Sequence, residues 1–399
     1  MVFKFATVAL TEDPLSFDSD SPPPSRSWAV CLPYIPGCSF KKPTTSRQAA
    51  TGASLRQTIQ SSEPGCSCCR PSESLQFPGS DLEVHQGRLK MFAFRELQAA
   101  TNHFSDEKIV GRGGFGRVYE GLLADGSRVA VKRLAKHSHF EMRELHAEVK
   151  VGNMPPHQNL VPVLGFCSSS ELKEYMLVYS LMLNGSLSSF LGGPPSMKLS
   201  LDWPTRKKIA VGAARGISHL HDHGVIHRDI KPHNILLGEN FQVSVGDFGM
   251  AIFMDKDEEK GVSKEASFFS LSFLRTQIGG TYGYLDPEYS KSGMCSGKSD
   301  VYSFGVTLLE LISGRSAQRR ISPPGLLLPE WAGMLVKDEE WGRLVDADMP
   351  SGYKESEVKR MIQLALVCTH LSPERRPDMT EVVQILEGAV SLEKRWEEY

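Results

Sequence analysis

The sequence predicts an α+β fold in two lobes, a small β-rich lobe followed by a larger helical one, behind a disordered N-terminal tail. Three observations predict it. At 399 residues and 44.1 kDa the chain is too long for one typical core and leaves room for a bilobal domain of about 250–300 residues plus a tail. The composition changes near residue 89, from Ser/Pro-rich to ordinary globular texture. Beyond that point short β-type stretches come first and long amphipathic segments come after. Hydrophobic residues make up 40% and charged residues 23%, so the chain as a whole is neither fibrous nor disordered. Lys+Arg 45 against Asp+Glu 47 gives a net charge of −2, which argues against a dedicated nucleic-acid binder. No apolar run approaches the length of a membrane span.

The tail, residues 1–88, holds ten Pro, fourteen Ser and five Gly without a sustained apolar period. Such a segment cannot bury enough surface to offset its ordering entropy, so disorder is expected. Five of the eight cysteines lie here, Cys31, Cys38, Cys66, Cys68 and Cys69. The Cys66–Cys69 cluster lacks a second ligand pair for zinc; its two readings are free thiols and reversible acylation. Val2 and the Glu397-Glu398-Tyr399 ending argue against myristoylation and prenylation.

Residues 89–104 follow as a helical segment, because Phe94, Leu97 and Ala100 recur at helical spacing. Val118–Leu123 and Ser127–Arg133 read as strands joined by an Asp125-Gly126 turn. Glu141–Asn153 reads as a charged helix stopped by Pro155-Pro156. After Leu201 helices are expected over Trp203–His223, Lys298–Ile312, Val358–Thr369 and Met379–Val390. The domain is bounded at 105–390, its lobes meeting near 182/183, with 391–399 as a C-terminal tail.

The first chemical signal is the glycine run Gly111, Gly113, Gly114 and Gly116, ending at Val118 in the pattern G-x-G-x-x-G-x-V. Glycines let backbone N–H groups approach a phosphate without Cβ obstruction, but the run alone does not choose among nucleotide folds. Gly116 leads into Arg117-Val118-Tyr119, a strand, where a P-loop or a Rossmann loop opens a helix. Lys132 then lies in Val129-Ala130-Val131-Lys132. An inward-facing lysine on such a strand needs a carboxylate partner, and Glu141, Glu144 and Glu148 all qualify by type.

The most specific string is His227-Arg228-Asp229-Ile230-Lys231-Pro232-His233-Asn234. Asp229 is suited to accept a hydroxyl proton, Lys231 to neutralise a phosphoryl group and Asn234 to ligate a divalent metal. Eighteen residues past Asp229, Asp247-Phe248-Gly249 supplies a second hard oxygen ligand.

Taken in this order the motifs resemble those of eukaryotic protein kinases. The Phe94–Ser105 string, Gly283–Tyr289 and Asp300–Val306 narrow the resemblance to the plant receptor-like kinases of the Pelle/IRAK group. The resemblance implies a Ser/Thr kinase with the bilobal protein-kinase fold, using ATP with Mg²⁺ or Mn²⁺ on protein substrates. It selects Glu148, nine residues before His157, as the partner of Lys132. It also places Tyr179 at the gatekeeper position, Ser180–Met182 at the hinge, and Val118, Ala130 and Leu236 around adenine. Lys231 and Thr281 point to Ser/Thr specificity. Arg228 resembles the arginine that organises a phosphorylated activation loop, here with Thr276 and Thr281 as regulatory candidates.

Three departures stand out. Asp286 replaces the alanine of Ala-Pro-Glu. Gly152, four residues after Glu148, replaces an apolar residue, so the helix carrying Glu148 is expected to be poorly held. The Asp247–Glu288 stretch is long, and phosphorylation within Ser263–Thr281 is expected to order it. A receptor-like cytoplasmic kinase linked to an upstream membrane receptor kinase is the expectation, with membrane contact only if the tail cysteines are acylated. The alternatives are a weakly active or non-catalytic ATP-binding scaffold and a truncated transmembrane receptor kinase.

Overall fold

Alternating apolar residues and tight turns between residues 109 and 180 generate a sheet, and 3.6-residue periodicity beyond residue 201 generates helices. The computed structural model describes residues 88–113, 116–135, 140–169, 171–191, 201–254, 274–321 and 325–399. The tail cysteines, Gly114 and Ser263–Ser272 lie outside them.

In the small lobe the described residues form a six-stranded sheet in the order β1-β5-β6-β4-β3-β2. Its strands are β1 (Lys90–Met91), β2 (Ile109–Gly113), β3 (Gly116–Leu122), β4 (Arg128–Leu134), β5 (Val163–Ser169) and β6 (Glu174–Ser180). The β3–β4 turn is the expected one: Gly126 takes φ 85°, and the Ser127 N–H donates to Asp125 Oδ1 at 2.9 Å. Helix α1 (Phe94–Ala100) spans the apolar spacing but not the whole of the expected 89–104 segment, whose start is the strand β1 and whose end turns away from the helix. Thr101 turns its hydroxyl back onto the Leu97 carbonyl at 2.7 Å, and Asn102, His103 and Phe104 adopt positive φ. Helix α2 (Phe140–Gly152) lies within one residue of its expected bounds and packs on β5 and β6. Leu145 and Val149 from α2 share a buried cluster with Leu89, Phe166, Leu177 and Tyr179. Gly152 is therefore not left without packing, because Leu89 fills the space beside it.

The helical lobe contains α3 (Ser188–Leu191), α4 (Trp203–Asp222), α5 (Pro287–Ser292), α6 (Gly297–Ser313), α7 (Leu328–Lys337), α8 (Glu355–Cys368), α9 (Met379–Glu387) and α10 (Glu393–Glu397). Caps explain their ends. Asp202 accepts from the Thr205 N–H at the start of α4, and Gly388, at φ 81°, closes α9 short of the expected Val390. Every residue of α6 is buried, which makes this helix the axis of the lobe. Short strand pairs complete it: β7 (Val225–Ile226) with β10 (Ile252–Phe253), β8 (Ile235–Leu237) with β9 (Val243–Val245), and β11 (Leu274–Arg275) with β12 (Met294–Cys295).

The sequence pattern does not predict β1, the strands β5–β12, or the helices α3, α5, α7 and α10. Strand β6 was visible in principle, as the Tyr175–Tyr179 run is rich in β-formers. Among the described residues no helix is long and apolar enough to cross a membrane.

Candidate active site

Strands β2 and β3 face each other with Gly113 opposite Gly116 and Gly111 opposite Val118. Gly116 has φ 142°, and a Cβ there would run into the Arg133 carbonyl, so only glycine fits this close approach of β3 to β4. Val118 pairs with Lys132 across the β3–β4 ladder, and Ala130 pairs with Tyr179 across β4–β6. Ala130, Met182 and Leu236 pack, half-buried, against the cluster that holds Tyr179. The chain leaving β6 is tied to the helical lobe by the Asn184 N–H, which donates to the Leu237 carbonyl at 2.9 Å.

Lys132 points inward and is buried. Its Nζ lies 2.6 Å from Glu144 Oε1, 2.6 Å from Asp247 Oδ1 and 3.5 Å from Glu148 Oε1. The sequence reading selected Glu148 alone; the folded chain gathers three carboxylates around one ammonium. Glu144 and Glu148 are one turn apart on α2 and so project from the same face. Burial alone would push Lys132 toward neutrality, but Asp247, Glu148 and Glu144 outweigh it and hold its pKa well above the usual lysine value. Burial pushes Glu148 up to about 7, against the pull of Lys132. Asp247 moves the other way: burial opposes its charge, but Lys132 holds it below the usual carboxylate range. Burial and the Glu148 carboxylate keep the Tyr179 phenol well above its ordinary value.

The second cluster surrounds Asp229. Its Oδ2 receives Lys231 Nζ at 2.6 Å, and its Oδ1 receives the Thr281 hydroxyl at 2.6 Å. Lys231 Nζ also donates to Thr281 Oγ1 at 2.7 Å, closing a triangle. Asn234 Nδ2 donates to the Asp229 carbonyl at 2.7 Å and to Oδ2 at 3.2 Å. Thr281, expected on the regulatory side, is thus part of the Asp229 cluster. Asp247 and Arg228 both carry positive φ, 64° and 71°, a cost that is tolerated where surrounding contacts over-determine the backbone.

One such contact is Asp300 on α6, whose role the Asp300–Val306 motif alone does not reveal. Its carboxylate accepts the His227 and Arg228 N–H groups, each at 2.8 Å, and lies 2.9 Å from His221 Nε2. Burial opposes the Asp300 charge, yet these bonds and the two histidines hold its pKa below normal. The Arg228 side chain donates to the Gln277 carbonyl at 2.7 Å and the Tyr289 hydroxyl at 2.9 Å. Thr276 sits beside this anchor, its hydroxyl donating to the Gln277 carbonyl at 3.3 Å.

Asp247 and Asn234 form a hard oxygen pair suited to a small divalent cation. The Asn234 amide nitrogen donates to Asp229, which leaves its oxygen as the atom that could ligate. The carboxylates of Glu144, Glu148 and Asp247 also lie within 4.8 Å of one another, but the Lys132 ammonium occupies their centre.

Residues 104–386 match the family described as protein tyrosine and serine/threonine kinase. The LRR receptor kinase SERK2 of Oryza sativa subsp. japonica is 41% identical over 330 residues, covering 80% of this chain and 51% of that protein. Two probable LRR receptor-like serine/threonine-protein kinases of Arabidopsis thaliana are 41% and 39% identical, each over 80% of this chain and about half of their own length. The chain thus spans about half the length of the curated relatives it matches.

Proposed function

Because the chain belongs to the protein tyrosine and serine/threonine kinase family, we propose that it transfers the γ-phosphoryl group of ATP to serine and threonine hydroxyls of protein substrates. The observation that carries this reading is the Asp229–Lys231–Thr281 triangle, with Asn234 beside it.

Asp229 accepts the proton of the attacking hydroxyl as its oxygen forms the new bond to phosphorus. The bond from the γ-phosphorus to the bridging oxygen breaks, and ADP leaves with the electron pair. Lys231, already on the Asp229 carboxylate, offsets negative charge on the moving phosphoryl group. Lys132 serves the phosphates from the other lobe, oriented by its carboxylates on α2. The β2–β3 glycines approach the phosphates through backbone N–H groups, while Val118, Ala130, Leu236 and Met182 supply apolar surface for adenine. Asp247 and Asn234 would hold Mg²⁺, or Mn²⁺ in its place, which when bound neutralises phosphate charge.

The names of the relatives, all receptor or receptor-like kinases, favour a place in receptor-linked signalling, and our reading adds an upstream receptor kinase as partner. Acylation of Cys66, Cys68 or Cys69 would add membrane contact.

Incubation with Mg²⁺ and labelled ATP tests the activity. Wild type is expected to incorporate phosphate, with Asp229→Asn lower by about 10²–10⁴-fold and Lys132→Ala similarly impaired. Equal incorporation in wild type and Asp229→Asn overturns the reading. ATP binding without incorporation favours the non-catalytic scaffold.

A further inference from the structure

Gly152 lies four residues after Glu148 and eight after Glu144, on successive turns of one face of α2. A Cβ at this position would stand 2.9 Å from Val163 Cβ and 3.0 and 3.1 Å from the two Leu89 methyl carbons. Leu89 therefore occupies the space that a side chain on residue 152 would fill. It is buried, and it shares its cluster with Leu145 and Val149 of α2 and with Tyr179 beside Glu148.

A second glycine brings Leu89 there. Strand β1 adds in parallel to β5 with Lys90 opposite Gly165, and a Cβ on Gly165 would collide with the Lys90 carbonyl. The Phe92 N–H then donates to the Phe166 carbonyl at 2.8 Å, and the Phe92 ring is buried in the cluster on the other face of the sheet. Gly165 admits the backbone of the segment and Gly152 admits its side chain. Leu89 lies ahead of residues 104–386, the extent of the family match.

We infer that Leu89 is a positioning residue for the Lys132–Glu148 pair, acting through the Gly152 notch of α2; this rests on the kinase reading above. The C-terminal turn of α2 is held between Val163 and Leu89. That contact sets the rotation of the helix about its axis, and the rotation decides whether Glu144 and Glu148 face Lys132. Removing the Leu89 side chain leaves a glycine-ended helix with empty space beside it, and the fraction of molecules with the pair assembled falls.

The test uses the full chain with Leu89→Ala, Leu89→Met, Gly152→Leu and the Leu89→Ala/Gly152→Leu double variant. Leu89→Ala is expected to lower kcat about tenfold, with KM for ATP changed less than about twofold, the result when ATP binds assembled and unassembled forms alike and only the assembled form transfers. Amide exchange across residues 140–152 is expected to accelerate in the same variant. Leu89→Met should retain activity. Gly152→Leu alone collides with Leu89 and lowers kcat. In the double variant the transposed leucine refills the space and should restore kcat to within about threefold of wild type. A Leu89→Ala protein with wild-type kcat and wild-type exchange overturns the inference. So does a double variant without rescue, or a loss explained entirely by the fraction unfolded. If wild type transfers no phosphate, the kinase reading fails separately, and unchanged exchange in Leu89→Ala still overturns the packing role.

Discussion

The Nζ of Lys132 stands 2.6 Å from Oε1 of Glu144, one helical turn ahead of Glu148. Glu148 is the more deeply buried of the two, and its Oε1 lies 3.5 Å from the same ammonium. If Asp247 held a metal instead of Lys132, both α2 carboxylates would still be within reach of the ammonium. Glu148→Gln is expected to lower kcat/KM for ATP by more than about 100-fold, since it removes the carboxylate that has no route to solvent. Glu144→Gln is expected to cost about tenfold, because Glu148 remains to orient Lys132. Steady-state kinetics with varied ATP measure both, and the reverse order would assign the orienting role to Glu144.

Thr281 donates to Asp229 Oδ1 and accepts from Lys231 Nζ, so its hydroxyl holds the two groups in register. Thr281→Val removes both bonds at nearly constant volume and is expected to lower kcat about tenfold or more. Thr281→Ser restores the hydroxyl and should keep most of the activity. Equal rates for the valine and serine variants would remove Thr281 from the site.

Asp286 gives the motif departure a structural meaning. Its Oδ2 and Oδ1 receive Arg376 Nη1 and Nη2 at 2.7 and 2.8 Å, with both residues buried. The same carboxylate caps α5 through the Glu288 N–H at 3.0 Å. Asp286→Ala recreates the more usual alanine but leaves a buried guanidinium without its counter-charge, a loss of about 3–5 kcal/mol. Urea unfolding of the variant measures it; a change below about 1 kcal/mol would mean that the carbonyls around Arg376 suffice.

Glu310 supplies a pH dependence. Burial raises its pKa to about 7, although the Ala317 N–H and the Tyr284 hydroxyl both donate to it. A raised folded-state pKa means that the folded chain binds the proton more tightly than the unfolded chain. The Glu310 contribution to stability is therefore fully present below about pH 4.5 and is lost as pH rises toward 7. Glu310→Gln cannot ionise, so its stability relative to wild type should improve by roughly 2–3 kcal/mol between pH 4.5 and 8. Chemical denaturation at several pH values tests this, and parallel profiles would contradict it.

Legibility in the sequence followed distance along the chain. Asp229, Lys231 and Asn234 fall within six residues, so chemistry and spacing could be read together. Helix α2 was legible within one residue at each end because its period and its proline stop are local. Spacing alone could not rank Glu144 and Glu148 as partners of Lys132, since they share a face; only the resemblance selected Glu148, and only the fold shows that Glu144 also reaches the ammonium. Gly152 illustrates the same limit: a missing side chain marks a gap, and only the fold shows that Leu89, sixty-three positions earlier, fills it.

The sequence by itself determined the family, the order of the lobes and the residue types of the site, because local periodicity and contiguous motifs encode them. Tertiary structure alone decided which groups meet. Asp300 reaches back 72 positions to Arg228, Arg376 reaches 90 to Asp286, and Thr281 closes on Asp229 from 52 away. Such contacts depend on packing among elements distant in the chain, and no short-range pattern carries that information.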